Sequence, residues 1–411
     1  MAGTLQEGIF HGPGASPPGH CTQLFLRADR GTGAERVGEL LAELWGVYRD
    51  LTRGTVRDLP GHPVDPGGLQ VLIGYGPKVF DLAGAGRTLP ATFAPEFRFR
   101  SASPSGGGPL LSGRGLQYAP DVRQNPATEE VCVQFTADTA LGVHRPVVET
   151  WKLLHDRADP ALGVALLAIS AVFTGFQRAD GRSWIDFHDG ISNLRSDQRA
   201  RVIQIDGETA AGDDWIIGGT YLAFLRLAVD LDLWRDLTRD QQELLVGRDK
   251  LTGSPLVGRT PEGGPRPDPR CPVAATTEVV DAGNEEFREP GTVDDPVVQA
   301  SHVHRANQNK FEDAARPNSL RIFRQGYEFL EPSPVAPGFR AGLNFVSFQD
   351  TPDRLIRVLR QQKWLGDVNF GGEAGQQPAG MDRLLTVRGA GIYLVPPLVP
   401  DEPFPGAAVF G

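Results

Sequence analysis

Residues 215–231 read WIIGGTYLAFLRLAVDL. This stretch holds a strand, and its reading decides the fold, because the pattern that follows it repeats the pattern that precedes it. Downstream, SLRIFRQG (319–326) and GLNFVSFQ (342–349) read as strands. Residues 351–365 read as a helix with Leu355, Ile356, Val358 and Leu359 turned inward, and LLTVRGAGIYLVPP (384–397) holds a closing strand. Upstream, TQLFLRA (22–28) reads as a strand. Val37, Leu40, Leu41, Leu44, Trp45 and Tyr48 then fall at helical spacing, one apolar stripe on a helix. GLQVLIGYG (68–76) and VCVQFTA (131–137) read as strands, and Gly142 to His155 as a helix. The expectation is two α+β halves, each an antiparallel sheet covered by helices on one face, with the boundary near residues 180–215.

The bulk composition narrows the function. The chain has 411 residues, 40% of them hydrophobic, enough for a full core and for two domains. Its formal charge is −10, from 41 basic and 51 acidic residues, with no long basic block. A nucleic-acid surface is therefore not expected. The three cysteines, Cys21, Cys132 and Cys271, form no CxxC pair, so neither a disulfide framework nor a thiolate zinc site is expected. The first twenty residues lack a basic segment followed by an apolar core. The longest apolar run, residues 161–176, is short for a membrane span and contains Ser and Thr. These features suggest a cytoplasmic protein with no membrane partner. Gly and Pro (50 and 34) mark loops, the longest from Pro255 to Pro296, a length that usually signals a functional cover or a moving segment.

Three stretches could carry chemistry. In IDFHDGISNL (Ile185–Leu194), a His188-Asp189 pair follows SWIDF, which reads as a strand. Asp189 could form a turn, ligate a metal or act as an acid-base. In SHVHRANQNK (301–310), His302 and His304 would share a face only on a strand. The residue types favour a helix or loop, hence one ligating histidine. In SLRIFRQGYEF (319–329), Arg321 and Arg324 would face opposite sides of a strand, one into a pocket. His11, His20 and His62 lie in Gly/Pro-rich loops and read as surface residues, while His144 and His155 belong to a helix.

Taken in order, DFHDGISNL, GGTYLAFLRLAVDLDLW, GRDKLTGSPL, SHVHRANQ, RIFRQGYEF and GLNFVSFQ resemble the dye-decolourising peroxidases, which are haem proteins. The longer bacterial cytoplasmic members look most similar, and the resemblance covers most of the chain. It implies two ferredoxin-like α+β domains in a dimeric α+β-barrel-like fold, residues 1–195 and 196–411, with haem b held mainly by the second. It also implies roles. His302 matches the proximal iron ligand, Asp189 the distal aspartate and Arg324 the distal arginine. Leu343 and Phe345 match apolar residues over the distal haem face. Arg305 could meet a haem propionate or serve only packing. The substrates would be hydrogen peroxide and a small organic reductant, and the chain could form a homo-oligomer. Three positions depart from the family pattern: Asp186 replaces a glycine, NQNK (307–310) replaces a common NPR, and His304 replaces a frequent arginine.

These residue types suit the chemistry. Imidazole is a good axial ligand for iron. A carboxylate within reach of peroxide can shuttle its proton, and a fixed guanidinium can stabilise developing negative charge. Arg324 would also favour an ionised Asp189. Three other readings use the same residues. One is a haem enzyme performing a specific biosynthetic oxidation or oxygenation. Another is a non-haem metal hydrolase using His188, Asp189, His302 and His304. The last is a haem carrier or sensor that keeps His302 but has no need of Asp189 and Arg324.

Overall fold

Strand residues of alternating parity enter different cores. In the computed structural model Leu24 and Leu26 join one apolar cluster, while Phe25 between them joins another. The structure describes residues 3–9, 17–93, 117–118, 129–158, 165–191, 193–194, 196–269, 293–306, 321–359 and 384–411. In chain order the first elements are β1 (His20–Ala28), α1 (Ala34–Thr52), β2 (Gln70–Tyr75), β3 (Gln117–Tyr118), β4 (Val131–Ala137), α2 (Ala140–Asp156) and β5 (Leu167–Phe176). There follow α3 (Ser196–Ile203), β6 (Thr220–Val229), α4 (Leu231–Arg235), α5 (Arg239–Val246), β7 (Leu256–Arg259), β8 (Pro265–Pro267), α6 (Pro296–Gln299) and α7 (His302–Ala306). The last are β9 (Phe323–Pro332), β10 (Phe339–Gln349), α8 (Pro352–Leu359) and β11 (Leu385–Val395).

Two antiparallel sheets result. One has the order β5-β1-β4-β2 and the other β11-β6-β10-β9, so each runs fourth, first, third, second in its own strand sequence. That is the ferredoxin-like arrangement expected from the sequence, made twice. The short β3 adds to the edge of β11 in parallel. Single residue pairs join the two sheets at both ends, Phe176 with Glu328 and Tyr75 with Leu394. Asn344 Nδ2 adds a side-chain link by donating to the Thr174 carbonyl at 2.9 Å.

The inner faces of both sheets share one core. Phe25, Leu72 and Cys132 from the first sheet meet Leu222, Phe224, Val346, Phe348 and Tyr393 from the second. The outer face of the first sheet carries α1 and α2, whose Leu41, Leu44, Tyr48 and Leu153 are buried against Val71, Val133 and Phe135. Each fully buried aliphatic side chain contributes about 1.5–3 kcal/mol.

The outer face of the second sheet is used differently. Its first crossover, between β6 and β9, is long and contains α4 to α7. The expected loop from Pro255 to Pro296 opens with the β7–β8 hairpin, and residues 270–292 lie outside the described residues. Among the described residues no helix is long and apolar enough to cross a membrane.

SWIDF is not a strand. Ser183 to Phe187 form a tight turn in which Ser183 N donates to the Phe187 carbonyl at 2.9 Å, flanked by an isolated bridge between Arg182 and His188. The alternation of Trp, Ile and Phe that suggested a strand serves other contacts. Trp184 lies against Phe176, and Phe187 against Trp234.

Candidate active site

The turn before Asp189 explains one departure from the family pattern. Asp186 has φ 63°, in the left-handed region where glycine is normally favoured. Aspartate is among the few other residues that occupy it at modest cost. The turn therefore keeps its shape without the glycine. Trp184 fixes it to β9 by donating from Nε1 to the Phe329 carbonyl at 2.9 Å.

Beyond Asp189 the chain clasps Arg324. Asn193 donates from Nδ2 to the Arg324 carbonyl at 2.7 Å and accepts from the Arg324 amide at 3.1 Å. Its amide side chain thus imitates a strand partner for β9. The Arg324 guanidinium donates to the Ile191 carbonyl at 2.9 Å. Asp189 and Arg324 are held by the same short loop.

On β9, Arg324, Gly326 and Glu328 share one face, because side chains alternate along a strand. All three line a cavity of about 280 Å³ against that face. Gly326 leaves room there for the two side chains above it. A Cβ at this position would lie 2.8 Å from Asp189 Oδ2 and 3.1 Å from Leu343 Cδ1. Leu343 and Phe345 of β10 and Leu225, Leu227 and Val229 of β6 continue the apolar floor. Leu355 and Val358 of α8 also reach the cavity, and α8 is anchored by buried Arg354, whose Nε donates to Asp350 at 2.6 Å.

His302 enters from the helices of the long crossover. It opens α7 and lines the same cavity with Val303, Ala306 and Val246. Helix α5 ends at Gly247 in the left-handed conformation, φ 89°, which leaves room for the buried Ser301 beside His302. His304 leads elsewhere, with Nε2 at 3.2 Å from the Leu256 carbonyl, and is not part of the cavity wall. Arg305 is buried and donates from Nε to the Ala300 carbonyl at 2.6 Å, also outside that wall. The helical reading of this segment and its single inward histidine are what the residue types suggested.

The two arginines do not face opposite ways. Arg321 precedes β9, so strand alternation does not govern it, and both Arg321 and Arg324 line the cavity. Burial pulls the Arg324 guanidinium below its ordinary pKa, and the Asp189 charge opposes that shift. Arginine remains charged throughout.

Two charged cavity residues were not singled out in the sequence: Arg248 and Glu328. Glu328 is 5% exposed, and its Oε1 has no hydrogen-bond partner among the described residues. Burial, then the neighbouring Asp189 charge, pushes its carboxyl up to about 8. The signal that could have revealed it is its spacing, two and four residues beyond Gly326 and Arg324 on one strand face. His188 also lines the cavity. Its Nε2 lies 2.8 Å from Arg182 Nη2 and 3.1 Å from the Leu251 carbonyl. Burial lowers its pKa, and Nδ1 is buried without a hydrogen-bond partner among the described residues.

These features fit a flat, largely apolar cofactor with anionic edges. The cavity offers aliphatic and aromatic walls, one imidazole on a short helix, Arg248 and Arg321 besides Arg324, and two buried polar atoms with no partner among the described residues. A metal-hydrolase site is not seen: among the described residues no group of three or more His, Cys, Asp or Glu side chains converges to hold an ion.

Comparison with known proteins gives the family. The family model described as "Dyp-type peroxidase, C-terminal" matches residues 180–400, more than half of the chain. The fold is also that of solved Dyp-type peroxidases. One from Cellulomonas bogoriensis superposes with a TM-score of 0.66 at 22% identity, covering 98% of this chain and 97% of that one. DtpA from Streptomyces lividans, described as an oxyferrous complex, gives 0.66 at 21% identity, covering 100% and 98%. The encapsulated Dyp-type peroxidase of Mycobacterium smegmatis gives 0.59 at 18% identity, covering 95% and 96%. The family match defines the class, a haem peroxidase. This chain belongs to the Dyp-type peroxidase family, oxidoreductases with haem b iron that act on peroxide.

Proposed function

We propose that His302 is the axial ligand of the haem iron and that Asp189 and Arg324 form the distal acid-base and charge-stabilising pair. The observation that carries this reading is that one cavity collects all three, although 135 residues separate Asp189 from Arg324 and 113 separate it from His302. Haem, when bound, supplies the iron at which peroxide is reduced.

The protein residues supply the rest. The Asp189 carboxylate takes the proton from one peroxide oxygen and returns it to the other. Its Oδ1 accepts from the Gly190 amide at 2.7 Å, which fixes its orientation while Oδ2 stays over Gly326. The Arg324 guanidinium, held by the Ile191 carbonyl, stabilises the negative charge that develops. Leu343 and Phe345 keep the space dry and strengthen both effects. Arg248 and Arg321 line the wall where carboxylate edges of the cofactor could be met. Arg305 would join them only through nitrogens other than Nε.

The division into domains of residues 1–195 and 196–411 follows the two β-α-β-β-α-β units. A cytoplasmic location and a homo-oligomeric state belong to the same proposal, with a small organic molecule as reductant. The test is steady-state oxidation of a dye by peroxide. Asp189→Asn and Arg324→Leu variants that keep their haem should each lose roughly 10²–10⁴-fold in kcat/KM for peroxide. Unchanged rates in both would overturn the assignment.

A further inference from the structure

Most Dyp-type site residues found here have a counterpart in the motifs read from the sequence. Glu328 does not. It is buried at the one point where β9 pairs with β5, opposite Phe176. A carboxyl group in such a place is costly unless it is paired or protonated.

Its setting is specific. Arg324, Gly326 and Glu328 follow one another on one strand face, with Cα atoms of alternate residues about 6.5 Å apart. Asp189 Oδ2 lies directly over the middle residue, Gly326. The aspartate is therefore flanked by a guanidinium on one side and a second carboxyl on the other. The Glu328 carboxyl has an oxygen, Oε1, without a hydrogen-bond partner among the described residues, and its side chain lines the cavity. Its carboxyl also meets the backbone of Trp184 and feels the charge of the Arg178 guanidinium. Arg178 is paired with exposed Asp180 at 2.6 Å and lies 3.7 Å from Asp186. The other charged or titratable groups facing this cavity are His188, Arg248, His302, Arg321 and Arg324.

We propose that Glu328 is a proton-exchanging partner of Asp189, standing between the distal aspartate and the Arg178–Asp180 surface. In the step, after Asp189 has returned the peroxide proton, a proton leaves the Glu328 carboxyl oxygen and binds the Asp189 carboxylate, directly or through one water, and Asp189 passes it to the oxygen released as water when the organic reductant is oxidised. Glu328 is left as the carboxylate and is refilled from the solvent side. The two acids act as a pair that shares a proton rather than as independent groups. This proposal rests on the distal role of Asp189 given above. Glu328 acts through Asp189, so it is a positioning and proton-supplying residue rather than a catalytic one. Its raised affinity for a proton near neutral pH agrees with that use.

The test combines infrared titration of the resting holoenzyme with the pH profile of peroxide turnover, in wild type and Glu328→Gln. Wild type should show a carboxylic C=O band that fades with a midpoint near pH 8, and the variant should lack it. The variant should also turn over peroxide about 10²-fold more slowly and lose the matching limb of the profile. No such band in wild type would overturn the proposal, even if the variant failed to fold. A variant with the wild-type rate and profile would overturn it as well. An inactive wild type would instead contradict the distal role of Asp189, with the infrared titration still deciding for Glu328.

Discussion

Asp189 Oδ2 rests 2.8 Å from where a Cβ would stand on Gly326. The Asp189 carboxylate occupies space that a side chain at 326 would enter unless Asp189 moved. Gly326→Ala is therefore expected to displace Asp189 and Leu343 together. Haem content should survive, because His302 lies on a different element. Peroxide turnover should fall by roughly 10-fold or more, since misplacement by an ångström can cost about 10²-fold. Parallel measurement of haem absorbance and of kcat/KM for peroxide checks both halves.

Asp186 holds φ 63° at 60% side-chain exposure and lies near Arg178 and Lys250 at 3.7 and 3.8 Å. Exposed ion pairs of this kind contribute about 0–1 kcal/mol. Asp186→Gly should therefore leave the turn intact and stability nearly unchanged. Asp186→Val should destabilise by about 1–2 kcal/mol, because a β-branched residue resists the left-handed region. Thermal unfolding of the two variants distinguishes backbone conformation from charge as the reason for this residue.

Arg354 is fully buried and donates to Asp350 through Nε and Nη2 at 2.6 and 2.8 Å. Burial raises the Asp350 pKa, and the arginine partly offsets that shift. Asp350→Ala leaves a buried guanidinium without its carboxylate and should cost about 3–5 kcal/mol. Because α8 supplies Leu355 and Val358 to the cavity, haem affinity should drop with stability. Denaturant unfolding and haem titration of the variant test this.

Stability should also depend on pH through Glu328. Its folded-state pKa, pushed up to about 8, lies above the ordinary value of 4.5. Below 4.5 both states hold the proton and stability is insensitive to this group. Between 4.5 and about 8 only the folded state holds it, so stability falls as pH rises. Above that range the loss is complete. Denaturant unfolding across this range should show the decline in wild type, and a smaller one in Glu328→Gln.

Much of the fold was legible because its signals are local. Leu40, Leu41, Leu44 and Tyr48 fall at helical spacing and are buried on α1, and the apolar runs of β6, β10 and β11 are strands. The sheet closure was not legible, because it depends on single pairs such as Phe176 with Glu328, far apart in sequence. SWIDF misled because aromatic alternation can serve a turn whose rings dock on Phe176 and Trp234. His302, Asp189 and Arg324 stood out through ordered motifs, and the cavity unites them. Arg321 was read as strand-like although β9 begins at Phe323, and Glu328 was passed over because a single Glu between Tyr and Phe resembles a solvent-facing strand residue. Only burial reveals otherwise.

The central claim is that His302 binds the iron of a haem seated in this cavity. Its most direct test is the absorption spectrum of haem-reconstituted wild type and His302→Ala. Wild type should show a strong Soret band with the position and intensity of histidine-ligated ferric haem, and the variant should lose that band or shift it to that of unligated haem. An unchanged Soret spectrum in His302→Ala would contradict the account.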